Sequence, residues 1–323
     1  MLKKLAADLT RKPRIYELAP EMHERQLGPY YFLFREQRIA SGADQALIRR
    51  FDDNGIPINR TYIDVDGVDY VYYPISIGQL GLAVFHTALA TRRDEDRERF
   101  LKFVEWFAGN GTELSGGGVC WMTHVPLPQY RHPGPWPSAF AQSRALSILL
   151  RGFQLSGDLR YARLAERALI PFTRPVEQGG VTAHTPWGPF YEEYPAGMPT
   201  LVLNGKIFAL CGLYDFVRVF PQEVLARRLF DEGIETLIRI LPEYDLGFWS
   251  RYNLCRAPWY PEIDPSTVSY QHLHALQCEF LGRLTGRQLF FEFARRFHDQ
   301  VRPINVVRSL WLKGRALRKL NRL

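Results

Sequence analysis

"LNGKIFALCGLYDFVRVF" (203–220) runs straight into "PQEVLARRLFDEGIETLIRIL" (221–241), and the contrast between these two segments decides the fold. The first is apolar nearly all round at helical spacing. The second carries an apolar stripe and a face of Arg and Glu. A helix apolar on every side is buried, whereas an amphipathic one borders water, so the pair predicts a hairpin with one inner and one outer helix. The same pairing recurs. "ISIGQLGLAVFHTALA" (75–90) precedes "DEDRERFLKFVEWFAG" (94–109), "PSAFAQSRALSILLRGFQLSG" (137–157) precedes "DLRYARLAERALI" (158–170), and "VSYQHLHALQCEFLGRLTG" (268–286) precedes "RQLFFEFARRFHDQV" (287–301). Acidic residues open the helix at 94, Gly157 ends another and Asp158 caps the next, the usual start and stop signals.

The inner segments begin about 62 to 66 residues apart, a structural repeat. Four such hairpins in a ring, first helices inside, make an all-α fold. It is an α/α toroid, an incomplete barrel with long loops and short β-hairpins lining its cleft. The expected organisation is an N-terminal extension (1–61) packed on the toroid, the toroid itself (62–301) and a basic tail (302–323). The connections 110–136, 171–202 and 242–267 are rich in Gly, Pro, Trp and Tyr and too long for turns. Each leads into an inner helix, so all should open on one face.

Composition narrows the chemistry. The 323 residues are 46% hydrophobic and 23% charged, as in a soluble globular protein. The 16 Tyr and 7 Trp suit a cleft lined by flat amphipathic rings, of the kind sugars favour. Cys120, Cys211, Cys255 and Cys278 form no C-x-x-C pair, which argues against a zinc site or disulfide framework and for reduced thiols in a cytoplasmic protein. His272 and His274 are two apart on a helix and face different ways, so no metal is expected there, and nothing calls for a cofactor. No apolar run approaches a membrane span.

The net charge of +7 lies wholly beyond Asp299, where seven basic residues meet no acidic one. No nucleic-acid partner is expected. In the tail, Val307, Leu310, Trp311, Leu317 and Leu320 share a broad helical stripe, with Arg308, Lys313, Arg315, Lys319 and Arg322 largely off it. Such a helix packs on the toroid with a basic face in water, lies on an anionic membrane such as the inner membrane face, or recruits a polyanionic glycan. "MLKKLAADLTRKPR" (1–14) adds five basic residues against one acidic. A homodimer is a further expectation.

"FYEEYPAGMPTLVLNG" (190–205) concentrates polar residues at the mouth of an inner helix. Together with "GLYD" (212–215), this stretch resembles the C-terminal domain of the D-glucuronyl C5-epimerases, which convert D-glucuronate to L-iduronate in heparosan and heparan sulfate. "YYPISIGQLGL" (72–82), "PGPWPSAFAQSRALSILLRG" (133–152), "SRYNL" (250–254) and "SYQHLHALQ" (269–277) resemble four further segments of that family, in order. The likeness covers roughly 62–300. It implies catalytic roles for Glu193, Tyr194, Tyr252 and Tyr270, and substrate-binding roles for Asn204 and His274. Ser138 and Gln142 fall in the Pro-Gly-Trp-x-Ser-Ala-x-x-Gln segment, and Tyr72 and Gln79 are pocket candidates at the first inner helix. Trp136 and Trp259 read equally as sugar platforms or loop anchors, and Glu192 as a solvated neighbour. The chain departs from the family where the animal-type enzymes carry a large β-rich region, where Cys255 then Arg256 replace an Arg, and where Lys206 follows Asn-Gly.

The implied substrate is an acidic glycan containing glucuronate. Its C5 proton lies α to a carboxylate, and inversion needs acid/base groups on both faces of the ring plus a cation for the enolate-like charge. Tyr194 and Tyr270, from separate loops, would flank the sugar. Lys206, Arg251 or Arg256 would hold the carboxylate. A lyase would use the same tyrosines, a hydrolase would pair Glu193 with Asp245 or Glu262, and a non-catalytic glycan-binding toroid would use them for binding alone.

Overall fold

A computed structural model describes residues 16–44, 47–61 and 69–322. The basic segment 1–14 lies outside them. The eight repeat helices form where the apolar spacing places them: α2 (Pro74–Thr91) and α3 (Asp94–Gly109), α4 (Ala139–Ser156) and α5 (Leu159–Arg167), α6 (Leu203–Val219) and α7 (Val224–Ile240), α8 (Val268–Thr285) and α9 (Gln288–Asp299). A short α1 (Glu36–Ala40) precedes them, and α10 (Pro303–Lys319) follows. Helix α6 is buried at almost every position, whereas α7 buries only the stripe Ala226, Leu229, Phe230, Gly233, Ile234, Leu237 and Ile240, with Thr236. Asp158 accepts from Arg160 N–H at the start of α5, and Gly157 and Gly286 close α4 and α8 in the left-handed region.

The inner helices pack in the order α2, α4, α6, α8, with α3, α5, α7 and α9 on the outside. This is the α/α toroid. Strands are short: β1 (Glu17–Leu18) pairs with β2 (Phe32–Leu33), and β3 (Ile48–Phe51), β4 (Pro57–Arg60) and β5 (Tyr70–Tyr72) form an antiparallel sheet. β6 (Thr112–Glu113) pairs with β7 (Val119–Cys120), and β8 (Thr182–Thr185) with β9 (Gly188–Tyr191).

The N-terminal segment does more than cover the ring. It crosses the C-terminal ends of α4 and α6: Leu27 N–H donates to Gln154, Arg218 to the Glu24 carbonyl, and the Tyr31 hydroxyl to Asp215 at 2.7 Å. Its aromatics then fill the space between the first and last inner helices. Tyr30 N–H meets His86 of α2, and the rings of Tyr31 and Phe32 pack on Phe280 of α8 at 5.1 and 5.2 Å. That end of the toroid is therefore closed, and the N-terminal ends of the inner helices form the open face.

The tail packs on the 242–267 connection. Ser309, Ala316 and Leu317 are buried, Arg308 lies over the Phe248 ring, and Lys313 reaches Asp264. The expected single stripe is split. Leu317 and Leu320 turn inward, while Ile304, Val307 and Trp311 face out.

Candidate active site

At the open face the 171–202 connection climbs through the β8–β9 hairpin and delivers Glu192, Glu193 and Tyr194 to the start of α6. The two glutamates do different work. Glu192 is buried, and its carboxylate accepts from Thr200 N–H (2.9 Å), Thr200 Oγ1 (2.6 Å) and Leu201 N–H. These bonds hold Leu201 at φ 52°, a left-handed conformation rare for a leucine, and the Leu201 carbonyl accepts from the Tyr244 hydroxyl. The solvated role expected for Glu192 is thus wrong: it ties down the loop that starts α6.

Glu193 is also buried but faces the neighbouring phenols. Asn204 Nδ2 donates to it at 3.4 Å, and the Tyr194 hydroxyl shares a hydrogen bond with it. Burial pushes its carboxyl up to about 7 against these two bonds. Tyr194 also bonds the Tyr252 hydroxyl. The Tyr252 ring meets Tyr270 edge-on at 5.3 Å. Burial, with the Glu193 charge beside it, holds the Tyr252 phenol well above its ordinary value. Tyr194, Tyr252 and Tyr270 each remain partly exposed. Two connections and two helix starts thus bring Glu193, Tyr194, Asn204, Tyr252 and Tyr270 into one cluster.

Backbone bonds fix this cluster. Leu203 N–H donates to the Tyr252 carbonyl and Tyr252 N–H to the Asp264 carbonyl at 2.8 Å, while Thr267 caps α8 by accepting from Tyr270 N–H. Trp136, buried and anchored through Nε1 to the Val125 carbonyl, stands edge-on to Tyr194 at 5.3 Å. It is a wall of the cluster.

Other expected contacts lie elsewhere. Lys206 is buried on the far side of α6, with Nζ 3.6 Å from the centre of the Tyr191 ring and bonded to the Pro189 carbonyl, so it does not point at the phenols. Burial drives its amine well below the usual value. Ser138 caps α4, and Gln142 bonds the backbone of Val119, Trp121 and Ala168, so both hold the scaffold. His274 is buried beneath Tyr270 and bonded to Ser250, and burial lowers its imidazole to about 3. It meets the cluster through Tyr270. Arg256 is exposed on its loop. Tyr72, bonded to Asp52, belongs to a separate groove with Trp106 and His124. Gln79 is buried near Tyr16. Trp259 lies under the Arg131 guanidinium at 4.2 Å.

Sequence reasoning missed a second layer. Tyr130 lies 5.6 Å from the Tyr194 ring and stacks on Tyr260. Asn253 donates to both of their hydroxyls, and Tyr260 donates to Asp264 at 2.8 Å. Asp264 in turn binds Lys313 of α10 at 2.6 Å, and that ammonium stands 5.3 Å from the centre of the Tyr252 ring. Tyr130, Asn253 and Asp264 sit in stretches already conspicuous for their aromatics and prolines. Lys313 had no such signal, being one of seven basic residues in the tail. Among the described residues no group of three His, Cys, Asp or Glu is disposed to hold a metal ion, and all four cysteines are buried and unpaired. No helix among them is long and apolar enough to cross a membrane.

Known proteins resemble this chain in both sequence and fold. The family described as D-glucuronyl C5-epimerase C-terminus matches residues 119–299. A D-glucuronyl C5-epimerase of Caenorhabditis elegans is 30% identical over 236 residues, which is 69% of this chain and 38% of that protein. An uncharacterized protein of Methanocaldococcus jannaschii is 28% identical over 185 residues, 56% of this chain and 58% of that one. The chain thus spans well under two thirds of the length of either relative. Among solved structures, an unsaturated glucuronyl hydrolase from Bacillus sp. GL1 superposes with a TM-score of 0.50 at 13% identity, covering 77% of this chain and 74% of that one. That likeness concerns the fold alone.

Proposed function

The chain belongs to the D-glucuronyl C5-epimerase C-terminus family, and from that premise we propose that it is an isomerase inverting C5 of glucuronate residues in a heparosan-like acidic glycan to give L-iduronate. The observation that carries this reading is the Glu193–Tyr194–Tyr252–Tyr270 cluster at the open face of the toroid. One acid/base group takes the C5 proton, the electron pair left behind spreads into the sugar carboxylate, and a second group returns a proton to the opposite face. Tyr194, Tyr252 and Tyr270 are assigned to these transfers. Glu193, tuned near neutrality by burial, accepts or returns the proton of Tyr194. Asn204 orients Glu193.

The enolate-like intermediate carries extra negative charge. We assign its stabilisation to Lys313, acting across the Tyr252 ring, rather than to Lys206. A nearby opposite charge favours the ionised form of a phenol, and Asp264 holds the Lys313 ammonium 5.3 Å from the centre of the Tyr252 ring.

A hydrolase is disfavoured because, among the described residues, the carboxylates it would pair with Glu193 are engaged or turned to solvent, Asp264 by Tyr260 and Lys313. Glu192 is consumed by the 200–201 turn, Asp245 is engaged by Arg296 and Gln300, and Glu262 is exposed. A lyase begins with the same proton abstraction and then eliminates across C4–C5. Incubation with heparosan in D₂O, followed by proton NMR, separates the readings. Epimerisation places deuterium at C5 without shortening the chain, elimination gives an unsaturated product absorbing in the ultraviolet, and hydrolysis gives new reducing ends. No C5 exchange with any glucuronate-containing glycan overturns the proposal.

The outward face of α10 supports peripheral association with an anionic membrane. Ile304, Val307 and Trp311 recur at helical spacing with Arg308, Arg315 and Arg318 around them, all exposed.

A further inference from the structure

Arg144 occupies an unusual position. It projects from α4 with its stem packed against Gly78 of α2, so closely that a Cβ at residue 78 would stand 2.4 Å from its own Cβ. Its guanidinium is enclosed by four rings, with centroids at 4.9 Å (Tyr30), 5.1 Å (Phe34), 4.8 Å (Phe140) and 4.8 Å (Phe208). The residue is 1% exposed. Tyr30 and Phe34 come from the segment that closes the toroid, and Phe140 and Phe208 from α4 and α6, so the charge sits in the ring's interior. Aromatic faces attract a cation, but they do not neutralise it.

None of the three Arg144 side-chain nitrogens has a hydrogen-bond partner among the described residues. Ser147 Oγ, one turn along the same helix, and Nη2 of Arg151, one turn further, also lack one. The Tyr30 hydroxyl, on the ring shared by Arg144 and Arg151, faces only the Cys211 thiol. Buried polar groups left open at this density call for an unseen water or ion.

The charge balance discriminates between these. Arg151 and Arg218 share a single carboxylate, Asp215, at 2.7 and 3.6 Å. His86, which lies beside them, is kept neutral by burial, which lowers its imidazole to about 4. Three guanidiniums therefore face one carboxylate in a closed interior. Water satisfies N–H groups but leaves this excess, and an unpaired buried charge is strongly disfavoured. The cost of taking an ion out of water rises steeply with its charge, which disfavours a multivalent oxyanion among aromatic walls.

We propose that a monovalent inorganic anion of chloride size is bound inside the toroid beside Arg144, with the Ser147 and Tyr30 hydroxyls and Arg151 Nη2 as the further donors. The ion is structural, because residues this enclosed do not meet a sugar. It halves the excess positive charge of the interior on which the inner helices and the N-terminal aromatics converge.

The test needs no substrate. Melting temperature of the full chain is measured in sodium chloride and in sodium gluconate at matched ionic strength, and crystals are soaked in bromide. Ligand binding to the folded state alone raises stability with ligand concentration. The wild type is expected to melt several degrees higher in chloride, with a saturable dependence, and to show an anomalous bromide peak beside Arg144. Arg144→Met, which keeps an unbranched apolar side chain among the rings, is expected to lose both. Should Arg144→Met fail to fold, Ser147→Ala must instead shift the chloride dependence to higher concentration. Equal melting in the two salts with no bromide peak means that water alone fills the site, and it overturns the proposal.

Discussion

The Glu193 side chain lies against the face of residue 205. A Cβ at that position would stand 2.4 Å from both Cβ and Oε2 of Glu193, so only glycine admits the carboxyl at the start of α6. The Asn-Gly step thus has two roles: Asn204 donates to Glu193 and Gly205 makes room for it. Gly205→Ala is expected to lower C5 exchange at least about tenfold by displacing Glu193, since misplacement of an acid/base group forfeits much of its roughly 10² to 10⁴ contribution. C5 exchange in D₂O measures the effect, and wild-type exchange in the variant would show that Glu193 works from another position.

Removing a phenol should cost turnover more than binding. Tyr194→Phe, Tyr252→Phe and Tyr270→Phe are each expected to lower exchange by about 10² or more while glycan affinity stays within roughly tenfold, as for groups acting in the transition state. Parallel exchange kinetics and calorimetric titration test this. A variant with wild-type turnover removes that tyrosine from the chemistry.

Glu193 sets a pH dependence. Its carboxyl is raised from 4.5 to about 7 in the folded protein, so it ionises only as the pH passes that value. Exchange is expected to rise with pH about a midpoint near 7, and Glu193→Gln should abolish that limb. The stability effect has the opposite direction. A raised carboxyl contributes stability below its unfolded value that is lost as pH rises through the folded one. Wild type should therefore lose stability relative to Glu193→Gln between 4.5 and about 7, as urea melts at both ends of that window would report. Glu192→Gln is expected to act mainly on stability, by weakening its hold on Thr200 and Leu201.

Lys313 ties the tail to the chemistry. Lys313→Met is expected to lower turnover about tenfold or more with little change in KM, and Lys313→Arg to restore most of it. Because the ammonium acts through Tyr252, adding Lys313→Met to Tyr252→Phe should cost almost nothing further. Independent, additive losses would assign Lys313 a purely structural role.

The outer face of the same helix is tested separately. The full chain is expected to sediment with phosphatidylserine-containing vesicles at low salt, each basic residue near the surface contributing about 1 kcal/mol. Val307→Ser with Trp311→Ser, at positions 64% and 60% exposed, should abolish sedimentation while leaving exchange intact. If the full chain stays in the supernatant, the membrane reading fails.

Much of the scaffold was legible because helix burial leaves a periodic trace. Helix α6 is apolar all round and α7 is striped, and their bounds in the structure follow those patterns within a few residues. The tyrosine cluster was legible through its motifs, but the orientation of their neighbours was not. Adjacent Glu192 and Glu193 look alike in sequence, yet one turns into the loop and the other toward the phenols. Lys206 follows Asn-Gly but projects from the opposite side of α6. Residues 30–34 have no period to betray them, since what buries them is contact with distant helices. Lys313 was hidden for the same reason, as its partners Asp264 and Tyr252 stand on another connection.

The aromatic segment that closes the toroid also bears on how the chain folds. Tyr31 bonds Asp215, 184 positions later, and its ring packs on Phe280, later still. These rings leave the ribosome early and are buried only after the last inner helix exists. Contacts this distant slow folding and prolong exposure of apolar surface. During synthesis, residues 30–34 thus stay without their burying partners until residue 280 has been made, so apolar rings are held open across roughly 250 residues of elongation.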